Sequence, residues 1–208
     1  MKIILISDTH GNHHFRAPSG DVLIHAGDVS ARGTKREIDS FIKWFQSQPH
    51  KHKIFIAGNH DFYLEEVAKN KMQIEIPNLI YLNDSGCEID GIKFWGSPIQ
   101  PTFFNWAFNR NRGEEIKKHW DLIPKDTDVL ITHGPPHKIL DLTKSGEYAG
   151  CKELKKKVLE IKPKLHVFGH IHEAYGKITQ NETIFVNASL LDDRYKSVNT
   201  PIEVHIEV

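Results

Sequence analysis

Seven side chains with the chemistry of metal ligands recur between residues 8 and 172: Asp8, His10, Asp28, Asn59, His133, His170 and His172. Carboxylates, imidazoles and one amide oxygen make a mixed donor set. Neutral imidazole suits Mn, Fe, Co or Zn better than Mg or Ca, which prefer oxygen ligands. Seven protein groups exceed what one tetrahedral ion needs. Two divalent transition-metal ions about 3.5–4 Å apart, sharing one carboxylate, would use them all. Such a pair activates a water, offsets charge on a phosphoryl oxygen and holds the attacking oxygen for in-line displacement. His60 follows Asn59 directly and is not needed as a ligand. Its expected role is general acid to the departing oxygen, with Asp61 expected to hold or charge it.

The spacing says what must position these groups. Asp8-x-His10 and His170-x-His172 place two ligands two residues apart, so on an extended segment both project to one side. Gly11, Gly27, Gly58, Gly134 and Gly169 stand beside ligands, where sharp turns or close backbone approach are needed. Short apolar runs predict strands over Lys2–Ser7, Val22–Ala26, Lys53–Ala57, Val129–Thr132 and Leu165–Phe168. Each of the five ends, at its carboxyl end, in one or more of the candidate residues, which is where open α/β sheets bind ligands. Amphipathic stretches predict helices over Lys35–Gln48, Phe62–Lys69, Arg112–Trp120 and Lys152–Ile161. Thr34 and Asp61 are the expected N-caps of the first two, and Pro49 and Pro163 stop the first and last. Residues 79–97 read as short strands with turns at Ser85-Gly86 and Asp90-Gly91. The tail reads as a hairpin turning near Gln180-Asn181, then a strand over Ile202–Val208. No repeat or low-complexity tract interrupts this α/β pattern, so residues 1–208 are expected to form one domain.

Bulk properties narrow the function. Lysine plus arginine and aspartate plus glutamate each number 27, giving a formal net charge of zero. A protein that grips duplex nucleic acid usually carries a basic footprint, and none is expected here. Two cysteines are too few for a disulfide framework and fit a reducing compartment. The opening apolar run reaches Asp8 too soon for a signal-peptide core, and no run of roughly 18 apolar residues suggests a membrane span. A cytoplasmic protein with no membrane partner is the expectation.

The ordered blocks Asp8-Thr9-His10, Gly27-Asp28, Gly58-Asn59-His60-Asp61, His133 and Gly169-His170-Ile171-His172 resemble the calcineurin-like metallophosphoesterase superfamily. The resemblance implies a four-layer α/β/β/α sandwich of two facing mixed β-sheets. It also implies that Asp8, His10 and His172 hold one metal, that Asn59, His133 and His170 hold the other, that Asp28 bridges them, and that His60 is the leaving-group acid. The segments 104–109, 132–136 and 164–169 are similar to the metallophosphoesterase-domain-containing proteins of animals and their bacterial relatives, which resemble class III cyclic-nucleotide phosphodiesterases. Some animal members have glycine where this chain has His170, so the histidine here implies a full dinuclear centre.

The expected activity is hydrolysis of small phosphoesters, above all nucleotide-like diesters. A monoesterase, pyrophosphohydrolase or nuclease could use the same centre, and a non-catalytic protein-binding scaffold could keep the same fold. Scaffold members tend to lose ligand histidines, and this chain has not. In the aromatic segment 103–112, Trp106 is placed to stack on a base, and Arg110 or Arg112 to pair with phosphate. The competing reading is that the segment packs internally. His13 and His14 read as surface-loop residues, and His25 as a satisfied core residue.

Overall fold

The computed structural model describes residues 1–70 and 76–207. The first sheet is built from β1 (Lys2–Ile6), β2 (Val22–Ala26), β3 (His52–Ile56) and β4 (Ile80–Tyr81), with β13 (Ile202–His205) on its edge, in the order β13-β1-β2-β3-β4. The second holds β5 (Ser85–Ile89), β6 (Ile92–Ser97), β9 (Val129–Thr132), β10 (Leu165–Phe168), β11 (Gly176–Gln180) and β12 (Thr183–Asn187), in the order β11-β12-β10-β9-β6-β5. Both sheets are mixed. Parallel central strands are flanked by antiparallel β13 in the first, and by β11 and β5 in the second.

Alternation along the strands creates the layers. Ile3 and Leu5 of β1 and Ile54 and Ile56 of β3 pack with Phe94, Val129, Ile131, Leu165 and Val167 between the sheets. Ile4 and Ile6 turn the other way, into a cluster with Phe41 and Phe45 of helix α1 (Lys35–Gln46). On the second sheet, Leu130 and Phe168 point outward with Trp120 of α3 (Glu114–Asp121) and Leu154 and Val158 of α4 (Lys152–Ile161). Helix α2 (Phe62–Lys69) buries Leu64 and Val67. Burial of both strand faces is why the five core strands read as continuous apolar runs. The architecture is the expected α/β/β/α sandwich, two mixed sheets facing each other between helices.

Local chemistry refines several boundaries. Thr34 closes a capping box with Glu37, so α1 starts as expected. Asp61 precedes α2, but its side chain makes no cap bond. Helix α3 starts at Glu114 rather than Arg112, because Gly113 takes φ +87° and Arg112 is drawn away to the carbonyls of Ala149 and Gly150. Ser85-Gly86 is not a turn: both residues lie inside β5, and a Cβ on Gly86 would sit 2.7 Å from the Phe94 carbonyl oxygen. That glycine serves close strand approach. The β11–β12 turn falls at Asn181-Glu182, both at positive φ, one residue beyond the expected place. A two-strand ribbon, β7 (Gln100–Pro101) with β8 (Asn109–Arg110), was not expected; it closes the aromatic loop between them.

Candidate metal centre

The carboxyl ends of β1, β2, β3, β9 and β10 meet at one edge of the sandwich. The loops there are laced by backbone bonds: Asp8 N donates to Gly27 O (3.0 Å), His10 N to Asp28 O (3.0 Å) and Gly169 N to His133 O (3.0 Å). His170 N donates to the Asp8 carboxylate at 3.1 Å. Four of the candidate ligands take left-handed backbone: Asp8 (φ 53°), His10 (45°), Asp28 (56°) and His170 (70°). Such conformations cost of order 1–3 kcal/mol each in non-glycine residues and persist where surrounding bonds over-determine them. Glycine is needed where backbone meets ligand. A Cβ on Gly169 would lie 2.0 Å from Asp8 Oδ2, and one on Gly58 would lie 2.3 Å from Asp28 Oδ1.

The seven expected ligands come together, in two groups. Asp8 Oδ1 lies 3.4 Å from His172 Nε2, which lies 3.3 Å from His10 Nε2. Asn59 Oδ1 lies 2.9 Å from His133 Nε2 and 2.8 Å from His170 Nδ1. Asp28 Oδ2 stands between the groups, 3.6 Å from His10 Nε2 and 3.4 Å from His133 Nε2. Imidazole nitrogens that face one another across inward carboxylates form a donor set that divalent cations satisfy, so these residues fit the metal pair. Among the described residues, His10, Asp28 and His60 also bring donor atoms within 4.8 Å of one another.

Burial shapes the charges. It would push the Asp8 carboxyl up, but the His172 bond and the nearby imidazoles hold it well below its ordinary value. Asp28 is likewise held low, by His133 and His10 against burial. Burial lowers His10 and His170 to about 4. For His133 and His172 the carboxylates overcome burial and raise both to about 9, through Asp28 and Asp8 respectively. The site is therefore built around carboxylate charge that demands positive partners.

His60 lies beside this centre. Its Nδ1 bonds the Ala31 carbonyl (2.8 Å), its ring meets His10 edge-on at 4.6 Å, and its backbone N donates to Asp28 Oδ1 (2.8 Å). Asp61 does not hold it. The Asp61 carboxylate points the other way and accepts from Gly58 N (2.8 Å), Val29 N (3.2 Å), Ser30 N (2.9 Å) and Ser30 Oγ (2.5 Å). Burial and the Asp28 charge raise it to about 6. Asp61 ties the β2 and β3 loops together, because consecutive residues in a turn diverge in space.

The aromatic segment divides. Trp106 stacks on His60 and lines the pocket over the centre, held there by the Ala107 N bond to Asn59 O (3.1 Å). Arg110 does not reach the pocket. Its Nε donates to His119 Nε2 (3.1 Å), and His119 Nδ1 donates to Asp84 (2.6 Å). Arg112 lines a neighbouring cavity with its guanidinium bound to two backbone carbonyls.

Sequence reasoning missed a supporting layer. Ser189 Oγ donates to Asp8 Oδ2 (2.8 Å), and His172 Nδ1 donates to the Asp192 carbonyl (2.9 Å), which turns Nε2 toward the centre. Tyr195, on the same turn, faces His10 at 4.9 Å and His172 at 5.6 Å. No ligand chemistry marks these positions in the sequence. His13 is no simple surface residue: it stacks on Trp44 at 4.7 Å and bonds Thr9 Oγ1 (3.0 Å), which also bonds His25 Nε2 (2.9 Å). His25 is buried as expected, though its Nδ1 has no partner among the described residues.

Fold and site together define a calcineurin-like phosphoesterase. The family model of that description matches residues 1–174, and the chain belongs to this family. It is 40% identical over 230 residues to human metallophosphoesterase domain-containing protein 1, spanning 99% of this chain and 71% of that protein. The mouse protein of the same name matches equally well. The crystal structure of phosphopantetheinyl hydrolase from Mycobacterium tuberculosis has a TM-score of 0.64 at 14% identity, covering 93% of this chain and 90% of that one; the likeness is one of fold. The chain is a metal-dependent phosphoester hydrolase. Among the described residues no helix is long and apolar enough to cross a membrane.

Proposed function

We propose that this protein is a phosphodiesterase of small, singly charged diesters. Asp8, His10 and His172 would hold one divalent transition-metal ion (Mn, Fe, Zn or Co), Asn59, His133 and His170 would hold the second, and Asp28 would be shared. The observation that carries the diester reading is the pocket above the centre. Asp28, Glu173 and Asp193 give it carboxylates, Phe103, Trp106 and Tyr195 give it aromatic faces, and no lysine or arginine lines it among the described residues. Dianionic monoesters and polyphosphates call for arginine or lysine clamps on their extra charge. A diester carries one negative charge and two substituents, and this lining suits it better. The aromatic faces also suit a nucleobase, which makes a nucleotide diester one member of the class.

The bound metal pair supplies charge offset and an activated water. The chain's own residues do the rest. His60 donates Nδ1–H to the Ala31 carbonyl, which leaves Nε2 as the nitrogen that carries the transferable proton to the departing oxygen. Trp106 covers one face of that ring, limiting water and fixing its tilt. Ser189 and Asp192 orient Asp8 and His172, so residues beyond the family match at 174 complete the site and support one working domain over 1–208. Free Cys87 and Cys151 accord with a cytoplasmic location.

The test compares bis(p-nitrophenyl) phosphate, p-nitrophenyl phosphate and pyrophosphate on Mn-, Fe-, Co- and Zn-loaded protein. The diester should exceed the monoester in kcat/KM by about tenfold or more, a preference of about 1.4 kcal/mol. A reversed ratio would make the protein a monoesterase or pyrophosphohydrolase. Turnover of nothing with any metal would favour a scaffold.

A further inference from the structure

A second cavity, of about 510 Å³, opens beside the metal centre. It shares Phe103 and His170 with the pocket over the centre, so the two spaces meet at His170. His60, Trp106, His172 and Tyr195 line only the first space. The chemistry described so far makes no use of the second.

Pro101, Pro135, Phe103 and Tyr148 give its lining apolar faces, beside the charged Arg112 and Glu147. Phe103 and Tyr148 are about half exposed, at 55% and 48%, which is unusual for two large aromatic side chains flanking one cavity. The walls are also held in place. Arg112 donates to Gly150 O (2.8 Å) and Ala149 O (2.7 Å), clamping the 147–150 segment to the aromatic loop. Buried Asp141 accepts from Lys138 N and Gly150 N, both at 2.9 Å. Gly150 approaches so closely that a Cβ would lie 2.6 Å from Pro136 O. The Tyr148 ring has the Lys138 ammonium 5.4 Å from its centroid. A preformed wall costs little ordering on binding.

We propose that this cavity receives the ester arm that stays on phosphorus, and that it selects a flat, apolar-faced group of aryl size. The inference rests on the phosphodiesterase reading and deepens it. In-line displacement sets the leaving oxygen opposite the attacking one. The leaving side is marked by His60, which lies against His10 of the first ligand group. His170 lies at the other group, bonded to Asn59 and packed on His133 at 5.0 Å. A diester centred between the groups sends one arm toward His60 and the other toward His170, and there the cavity begins. A monoester has no second arm to place in it. The walls offer aromatic and proline faces to a ring, and the Ser145 hydroxyl, bonded to Thr143 Oγ1 (2.8 Å), adds a polar group to the lining.

Three substrates with one leaving group isolate the retained arm: p-nitrophenyl phosphate, methyl p-nitrophenyl phosphate and phenyl p-nitrophenyl phosphate, each with the Mn-loaded full chain. The phenyl diester should exceed the methyl diester about tenfold in kcat/KM, mostly through KM. Tyr148→Ala, which removes one wall, should bring that ratio to within about twofold of one. Ser145→Trp, which fills the cavity from its exposed rim, should do the same, so the result does not depend on one variant folding well. Equal rates for the two diesters in the wild type overturn the inference, as does a preference that survives both substitutions. Turnover of the monoester alone overturns the phosphodiesterase reading instead.

Discussion

The rings of His60 and Trp106 stack with centroids 4.3 Å apart and planes 27° apart, beside the candidate metal centre. Phe62 backs the indole at 5.9 Å, and Ala31 holds the far nitrogen of the imidazole. A general acid matters most when the leaving group is a poor one. His60→Ala should therefore slow an alkyl diester by roughly 10²–10⁴-fold and a p-nitrophenyl ester far less, with two metals per chain retained. Trp106→Ala should shift rates in the same direction by only about threefold to tenfold, because Ala31 still tethers the ring. Equal losses on good and poor leaving groups would remove His60 as the acid.

Asp28 faces both ligand groups, with Oδ2 at 3.6 Å from His10 and 3.4 Å from His133. Asp28→Asn keeps the shape and deletes the charge. Elemental analysis after dialysis should show both metals depleted together. A variant that still holds two ions per chain would rule out a shared carboxylate.

Asp61 has the opposite character. It is fully buried and takes four donors from two loops. Asp61→Ala leaves buried N–H groups without partners and should cost roughly 3–4 kcal/mol in denaturant unfolding. The leaving-group dependence of the variant, measured below its melting temperature, should match the wild type. A changed dependence would restore Asp61 as the partner of His60.

These tests separate what the sequence carries from what only packing reveals. The candidate ligands could be picked out because each has donor chemistry and follows a strand whose apolar run is long enough to recognise. The helices showed through their amphipathic faces, and Thr34 through its capping box with Glu37. Direction was not legible. Asp61 follows His60 in the chain yet its side chain points to Ser30, and Arg110 follows the aromatic loop yet pairs with His119 on α3. Gly86 reads as a turn residue because glycine is common there, but close approach to Phe94 is its task. Ser189, Asp192 and Tyr195 carry no signal at all: a hydroxyl, a backbone carbonyl and a ring become part of the site only when β12 and its following turn bring them to β1.

The buried His166 gives a measurable pH signature. Thr132 Oγ1 donates its single proton to Gly134 O (2.8 Å), so it must accept from His166 Nε2–H (2.8 Å). Nδ1 then carries the lone pair and has no partner among the described residues. Burial lowers the group from 6.5 to about 3, so the folded ring stays neutral where the unfolded one is charged. The sign follows. Above pH 6.5 the contribution is complete; as pH falls the unfolded chain binds a proton that the fold refuses, and the contribution is gone by about pH 3. One such group changes stability by up to about 1.4 kcal/mol per pH unit within that window. His166→Phe places a ring among Phe168 and Phe185, which already pack on the histidine at 5.0 and 5.9 Å. Denaturant unfolding at pH 7.5 and pH 5 should show the variant losing roughly 1–2 kcal/mol less than the wild type on acidification. His25, lowered to about 3 in the same way, keeps its share of the acid sensitivity in both proteins and cancels in the comparison. Identical acid losses in the two proteins would mean that His166 takes up its proton inside the fold, against the hydrogen-bond arrangement that Thr132 imposes.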